Sequence, residues 1–122
     1  MPPIKSFRDL DVWRKSMTLA QRCYLVSRCF DRDDQAALGY QLRRSAVSIP
    51  SNIAEGFGRR HTAEYVQFLQ VAKASNNELQ TQLELAARVG ALNSMEADAL
   101  RAEAEEVGRM MHGLIRSLRP LP

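Results

Sequence analysis

Residues Gln41 to Arg60, QLRRSAVSIPSNIAEGFGRR, constrain the fold of this 122-residue chain more than any other stretch. At about 100° per residue they sort onto three sides of a helix. Leu42, Ala46, Ile49, Ile53 and Phe57 share one arc, the spacing of a core-facing stripe. Gln41, Arg44, Ser45, Ser48, Asn52, Glu55 and Arg59 share a second arc about a quarter-turn away, and all of them are polar. Arg43, Val47, Pro50 and Ala54 make up most of the third. Pro50 removes a backbone donor and crowds the carbonyl of Ala46, so a kink is expected there, at a cost of ~3 kcal/mol in a helix interior. The hydroxyls of Ser45, Ser48 and Ser51 are near enough in sequence to take up the loosened carbonyls. Gly56 and Gly58 are suited to leaving the helix.

The flanking sequence supplies three more helices. Ser6 and Asp9 have capping-box spacing, and a first helix is expected over about 8–30. It carries two apolar stripes. Leu10, Trp13, Met17, Ala20 and Tyr24 form one, and Val12, Leu19, Cys23, Val26 and Phe30 form the other. Arg14, Lys15 and Arg22 lie between them on one flank, with Ser16 and Ser27 on the other. One stripe suffices for a helix of a monomeric bundle. The bulky Trp13 stripe is expected to turn inward, leaving Val12, Leu19, Cys23, Val26 and Phe30 as an oligomer interface.

The acids of Asp31 to Asp34 suit the start of a second helix over about 34–57. Thr62 is a reasonable N-cap for a third, over 62–89, with a core face of Tyr65, Phe68, Leu69, Ala72, Leu79, Leu83 and Ala86 and with Asn76 in its middle. Gly90 is placed to stop it. Asn93 and Glu96 have capping-box spacing for a fourth helix, over 94–118, which Pro120 and Pro122 follow. Four helices with short connections imply an all-α, antiparallel up-down-up-down four-helix bundle in one domain, 1–122.

Composition and charge narrow the function. Ala, Leu, Gln, Glu and Arg are abundant, which favours helix. No apolar run approaches the ~20 residues that span a bilayer, and no signal-peptide pattern precedes the domain. Cys23 and Cys29, six apart, suit neither a disulfide within one helix nor a metal site, and read as buried small hydrophobes of a reducing cytoplasm. The net charge of +3 is unevenly spread. Residues 1–60 carry 11 Lys and Arg against 6 Asp and Glu, whereas residues 61–122 carry 6 against 8. Such a basic half is either solvated surface or a surface for polyanions.

The central motif carries a resemblance. RRSAVSIPSNIAEGFGRR, with Phe7-Arg8-Asp9-Leu10-Asp11-Val12-Trp13 upstream and Glu64-Tyr65-Val66-Gln67-Phe68-Leu69 downstream, resembles the bacterial four-helix-bundle family of 23S rRNA intervening-sequence proteins. That family is related to the accessory variability proteins of diversity-generating retroelements. Asp31 stands where proline is usual after Phe30, Ala37 and Ala74 replace glycines, Ser45 replaces alanine, and Asn76 replaces an apolar residue. The resemblance implies a ring-shaped homo-oligomer, by analogy with the retroelement relatives a pentamer. It also implies a reverse transcriptase and its RNA as partners if the gene lies beside one.

Little catalytic chemistry is on offer. His61 and His112 lack the spaced Cys, Asp or Glu of a metal site, and Ser48 and Ser51 have no histidine base nearby. No cofactor is expected, and the chain reads as a non-enzyme. Glu55 is expected to pair with Arg59 at i, i+4, and Asn52 to cap backbone groups loosened by Pro50. With Tyr65 and Asn76 on the facing helix they are also expected to form a polar network that zips the second helix to the third, Arg44 lying near Asn76 and Glu78. Arg43, Arg44, Arg59 and Arg60 bracket the motif and, with Arg14, Lys15 and Arg22, are the candidate phosphate contacts. Tyr40 and Phe57 are the only rings close to them in sequence, so RNA or DNA would be held by its backbone rather than read by its bases. The alternative is a homo-oligomeric scaffold with no nucleic-acid role, its charges serving solubility and assembly.

Overall fold

The computed structural model describes residues 3–119, and Pro120 and Pro122, expected to follow the last helix, lie outside them. The structure is all-helical, with no strand among the described residues. Its four main helices are α1 (Asp11–Ser27), α2 (Tyr40–Phe57), α3 (Thr62–Arg88) and α4 (Ser94–Leu118). Contacts run α1 to α2, α2 to α3, α3 to α4 and α4 back to α1, closing a four-helix bundle.

Several helix ends have a local cause. Ser6 does cap, but what it caps is a single 3-10 turn, Phe7–Asp9. Its hydroxyl accepts from the Arg8 amide (3.1 Å), and the Asp9 carboxylate accepts from the amides of Lys5 (2.9 Å) and Ser6 (3.1 Å), which lower the Asp9 pKa. The chain is extended at Leu10, so α1 starts only at Asp11. Asp31 accepts from the Asp34 amide (2.9 Å) and starts a short turn, Arg32–Asp34, which runs through a π-helical segment, Gln35–Gly39, into α2. His61, rather than Thr62, occupies the N-cap position of α3 and makes no side-chain cap. Gly90 ends α3 at φ +78°, where the amides of Gly90 and Ala91 reach back to Ala87 (3.2 Å) and Ala86 (2.9 Å) in a Schellman motif. Asn93 accepts from the amides of Met95 (2.8 Å) and Glu96 (3.4 Å) and starts α4.

The core draws on all four helices. Leu42, Ala46, Ile49 and Ile53 of α2 meet Leu69, Ala72, Leu79 and Leu83 of α3 and Leu100, Ala104, Val107 and Met111 of α4. From α1 it takes Val12, Leu19, Ala20 and Cys23. This corrects the expected interface. Val12, Leu19, Cys23 and Phe30 are buried within a single chain and Val26 is half-buried against the core, so they are not available to a neighbour. Met17 (44% exposed) and Tyr24 (41%) face outward instead.

The reason lies in two serines. Ser16 and Ser27 share the Val12, Leu19 and Cys23 side and are fully buried. Their hydroxyls donate to carbonyls of their own helix, Ser16 to Trp13 (2.8 Å) and Ser27 to Tyr24 (2.7 Å), so burying them strands no polar group. Small side chains on this side bring α1 close to its neighbours. Of the Trp13 stripe, Ala20 is buried and Leu10 and Trp13 pack half-buried against the core, while the long Met17 and Tyr24 side chains are left exposed. Burial pushes the Cys23 thiol up to about 12, while Cys29, expected to be buried, is exposed.

The helix continues through the buried Pro50 as expected, and two other expectations for α2 change. The Ser48 hydroxyl turns to Ser75 of α3 rather than to a loosened carbonyl. Gly56 is not an exit, since α2 runs one residue further and Gly58 at its end has φ −78°. What Gly56 provides is proximity. A Cβ there would lie 2.8 Å from the Cβ of Phe68 and 3.1 Å from the Tyr65 carbonyl, so only glycine lets α2 and α3 approach this closely. Gly56→Ala is therefore expected to destabilise the fold by ~1–3 kcal/mol through overpacking. Gly113→Ala, in open space on α4, should stabilise it by up to ~1 kcal/mol through helix propensity. Urea unfolding of the two variants checks the opposite signs.

Candidate nucleic-acid interface

The polar ridge of α2 divides its partners instead of forming one network. Asn52 donates from Nδ2 to the Ser48 carbonyl (2.8 Å) and hydroxyl (2.9 Å), and that hydroxyl pairs with Ser75 Oγ (2.7 Å). This is the polar seam between α2 and α3. Glu55 stays outside it, exposed and paired with Arg59 one turn on (2.7 Å). Tyr65 packs edge-on against Phe57, ring centroids 6.1 Å apart, and its partial burial raises the phenol pKa. Asn76 turns the other way and donates from Nδ2 to the Ala104 carbonyl of α4 (2.8 Å), leaving its buried Oδ1 without a partner. The four expected network residues therefore serve four separate contacts. Period alone could not show that Asn76, mid-face on α3, lies nearer α4 than α2.

The candidate phosphate contacts also divide. Arg14 pairs with Asp11 and donates to the Arg8 carbonyl (3.0 Å). Arg22 pairs with Glu103 and ties α1 to α4. Arg59, held by Glu55, also lies 4.6 Å from the centroid of the Phe68 ring. Lys15 and Arg60 are exposed and make no ion pair among the described residues. From Arg43 to the end of α2 at Phe57 the helix rises about 21 Å, and Arg59 and Arg60 lie beyond that end, so the two arginine pairs are not one site.

At the Arg43 end the structure assembles something the sequence did not announce. Arg43 donates to Ser27 Oγ of α1 (3.0 Å), and its guanidinium lies 5.8 Å from the Tyr24 ring centroid. Arg28 lies 5.3 Å from the same ring, and Arg44 lies 5.9 Å from that of Tyr40. Tyr24, Tyr40, Arg43, Arg44, Val47 and Ser48 line a depression of about 510 Å³. The spacing of α1 places Tyr24 on the stripe expected to face the core, and nothing in it singles out Arg28. They are 12 to 20 residues from Arg43, Arg44 and Tyr40, and only the α1–α2 packing joins them. Next to this cluster, Trp13, Met17, Tyr24, Leu25, Val47 and Pro50 line an open apolar groove of about 540 Å³ between α1 and α2.

Among the described residues no group of three or more His, Cys, Asp or Glu could hold a metal ion. No helix of the described residues is long and apolar enough to cross a membrane.

Comparison with known proteins then settles the kinship. Residues 8–113 match the family described as 23S rRNA-intervening sequence protein. The chain belongs to that family. A crystal structure of a protein of unknown function from the S23 ribosomal protein family of Bacteroides thetaiotaomicron VPI-5482 is similar in fold, with a TM-score of 0.81. It is 23% identical, and the match covers 86% of this chain and 98% of that one. No curated protein matches the sequence.

In this member of the 23S rRNA-intervening sequence family, the reassigned polar residues have different stability consequences. Glu55→Ala should change unfolding free energy by no more than ~0.5 kcal/mol, since it removes only an exposed pair within one helix. Asn76→Leu should stabilise by ~1 kcal/mol, because the buried acceptor it removes costs more than its single hydrogen bond returns. Urea titration measures both, and a clear loss of stability for Asn76→Leu would contradict this account of Oδ1.

Proposed function

We propose that the chain is a non-enzymatic, homo-oligomeric helical protein that binds structured nucleic acid, or a nucleoprotein partner, through the phosphate backbone. The observation that carries this is the cluster of Arg28, Arg43 and Arg44, which has no carboxylate at ion-pair distance among the described residues. Guanidinium groups left free of carboxylates keep their charge and their forked donors for phosphate. A reverse transcriptase and its RNA are proposed partners where the gene stands beside one.

The bundle is proposed to be antiparallel, up-down-up-down. Supporting this, Ser48 meets Ser75 while Gly56 meets Phe68, and Asn76 meets Ala104 while Glu84 meets Arg101, residue numbers rising on one helix as they fall on the next. Self-association is proposed to cover the apolar groove between α1 and α2, with a ring of five suggested by the family resemblance. With the Val12 stripe spent in the core, the surplus apolar side of α1 is that of Met17 and its exposed neighbour Leu25. A scaffold without a nucleic-acid role is the second reading, favoured by the same groove.

Light scattering tests the assembly. The wild type is expected to be oligomeric and Met17→Asp with Leu25→Asp, both exposed positions in the groove, to be monomeric. A monomeric wild type would refute self-association. Binding is tested by titration with duplex DNA at several salt concentrations. Four phosphate contacts predict a slope of log K on log salt near −3.6, at ~0.9 per contact, and Arg43→Ala with Arg44→Ala should flatten it by ~1.8. Arg59→Ala should alter it less, because Glu55 already neutralises that guanidinium.

A further inference from the structure

We infer that the Tyr24, Arg28, Tyr40, Arg43 and Arg44 surface binds a single-stranded stretch of nucleic acid, stacking bases on the two tyrosines and holding phosphates with the arginines. This rests on the nucleic-acid reading above and narrows it to one place and one form of ligand.

The first ground is how the arginines are partnered. Arg14, Arg22, Arg59, Arg88, Arg101 and Arg109 each sit against a carboxylate. Arg28, Arg43 and Arg44 sit against tyrosine rings instead. Glu78 shares a polar depression with Arg44 but makes no ion pair with it. A guanidinium beside an aromatic face retains its full charge and presents a flat surface of its own, and both features suit a nucleotide.

The second ground is the rings. Tyr24 is 41% exposed and Tyr40 is 49% exposed, on different helices, and neither hydroxyl hydrogen-bonds to a described residue. Large aromatic surface left open beside positive charge is the combination that single-strand binders use, since every base has a face to stack. A duplex buries those faces between its own base pairs and offers only phosphates. Two open rings therefore distinguish the two forms.

The third ground is preorganisation. The π-helical segment Gln35–Gly39 leads directly into Tyr40, and π segments are frequent at functional sites. Gly39 lets the Arg43 guanidinium lie close, since a Cβ there would be 3.2 Å from it. The same Arg43 nitrogen, Nη1, donates to the Ser27 hydroxyl, which is itself committed to the Tyr24 carbonyl. The central cation is thus held in place before a ligand arrives.

Fluorescence anisotropy with a labelled RNA of about 12 nucleotides and no self-complementarity, alone and annealed to its complement, tests the inference. The single strand is expected to bind more tightly than the duplex. Tyr24→Leu and Tyr40→Leu should each weaken the strand by ~10-fold, within the range of losing one stacked base, and leave the duplex within about twofold. Leucine keeps the adjoining groove apolar, and Tyr40→Phe, which keeps the ring, should restore strand binding. Should Tyr24→Leu fold poorly by circular dichroism, Tyr40→Leu on the exposed start of α2 carries the test. Tyrosine variants without effect on a strand that still binds, or equal loss for strand and duplex, would overturn the stacking site and leave backbone binding standing. Failure of the wild type to bind either form would overturn both.

Discussion

The close approach of α2 to α3 at Gly56 is the constraint on which the rest of the structure depends. With no Cβ at this position, the α2 backbone packs against Phe68 and Tyr65. Two turns toward the start of α2 the same seam is tied by Ser48 and Ser75, with Asn52 backing the hydroxyl. A steric contact at one end and a hydrogen bond further along set the distance and the rotation of the pair. Leu42, Ala46, Ile49 and Ile53 are then directed onto the core. The α2–α3 contact is the most extensive in the bundle, and α1 and α4 pack onto the frame it makes.

The rotation of α1 on that frame decides what the surface offers. With Ser16 and Ser27 buried, Val12, Leu19 and Cys23 fill the inner layer, and Met17, Tyr24 and Leu25 are left outside. The same rotation has two effects. It opens the apolar groove against Val47 and Pro50, and it brings Tyr24 within reach of Arg43. Groove and cluster share Tyr24, so the proposed self-contact and the proposed strand site adjoin along one side of the molecule.

Charge is distributed to match. Glu84, Glu103 and Glu106 of α3 and α4 neutralise arginines on their own or neighbouring helices. Exposed ion pairs of this kind add little stability, so their main consequence is to cancel positive potential locally. At the α1–α2 end the arginines lean on tyrosines, which cancel nothing. Of the 11 Lys and Arg in the first 60 residues, Arg28, Arg43 and Arg44 are the three gathered against the two tyrosines.

The sequence by itself determined the four helices, the core stripe of α2, and the stops and starts at Gly90, Asn93 and Asp31. Each of these depends on neighbours within a turn or two, through period, backbone freedom or a side-chain cap. It also carried the family, in the run from Arg43 to Arg60 and its flanks. Tertiary structure decided which stripe of α1 faces inward, because both stripes are apolar and only the gap between helices discriminates Ser16 from Met17. It decided that Asn76 faces Ala104 and that Glu55 faces solvent, since a helical face adjoins two neighbours and period does not choose between them. It alone made the tyrosine and arginine cluster, because Tyr24 and Arg43 are 19 residues apart and meet only when α1 packs against α2.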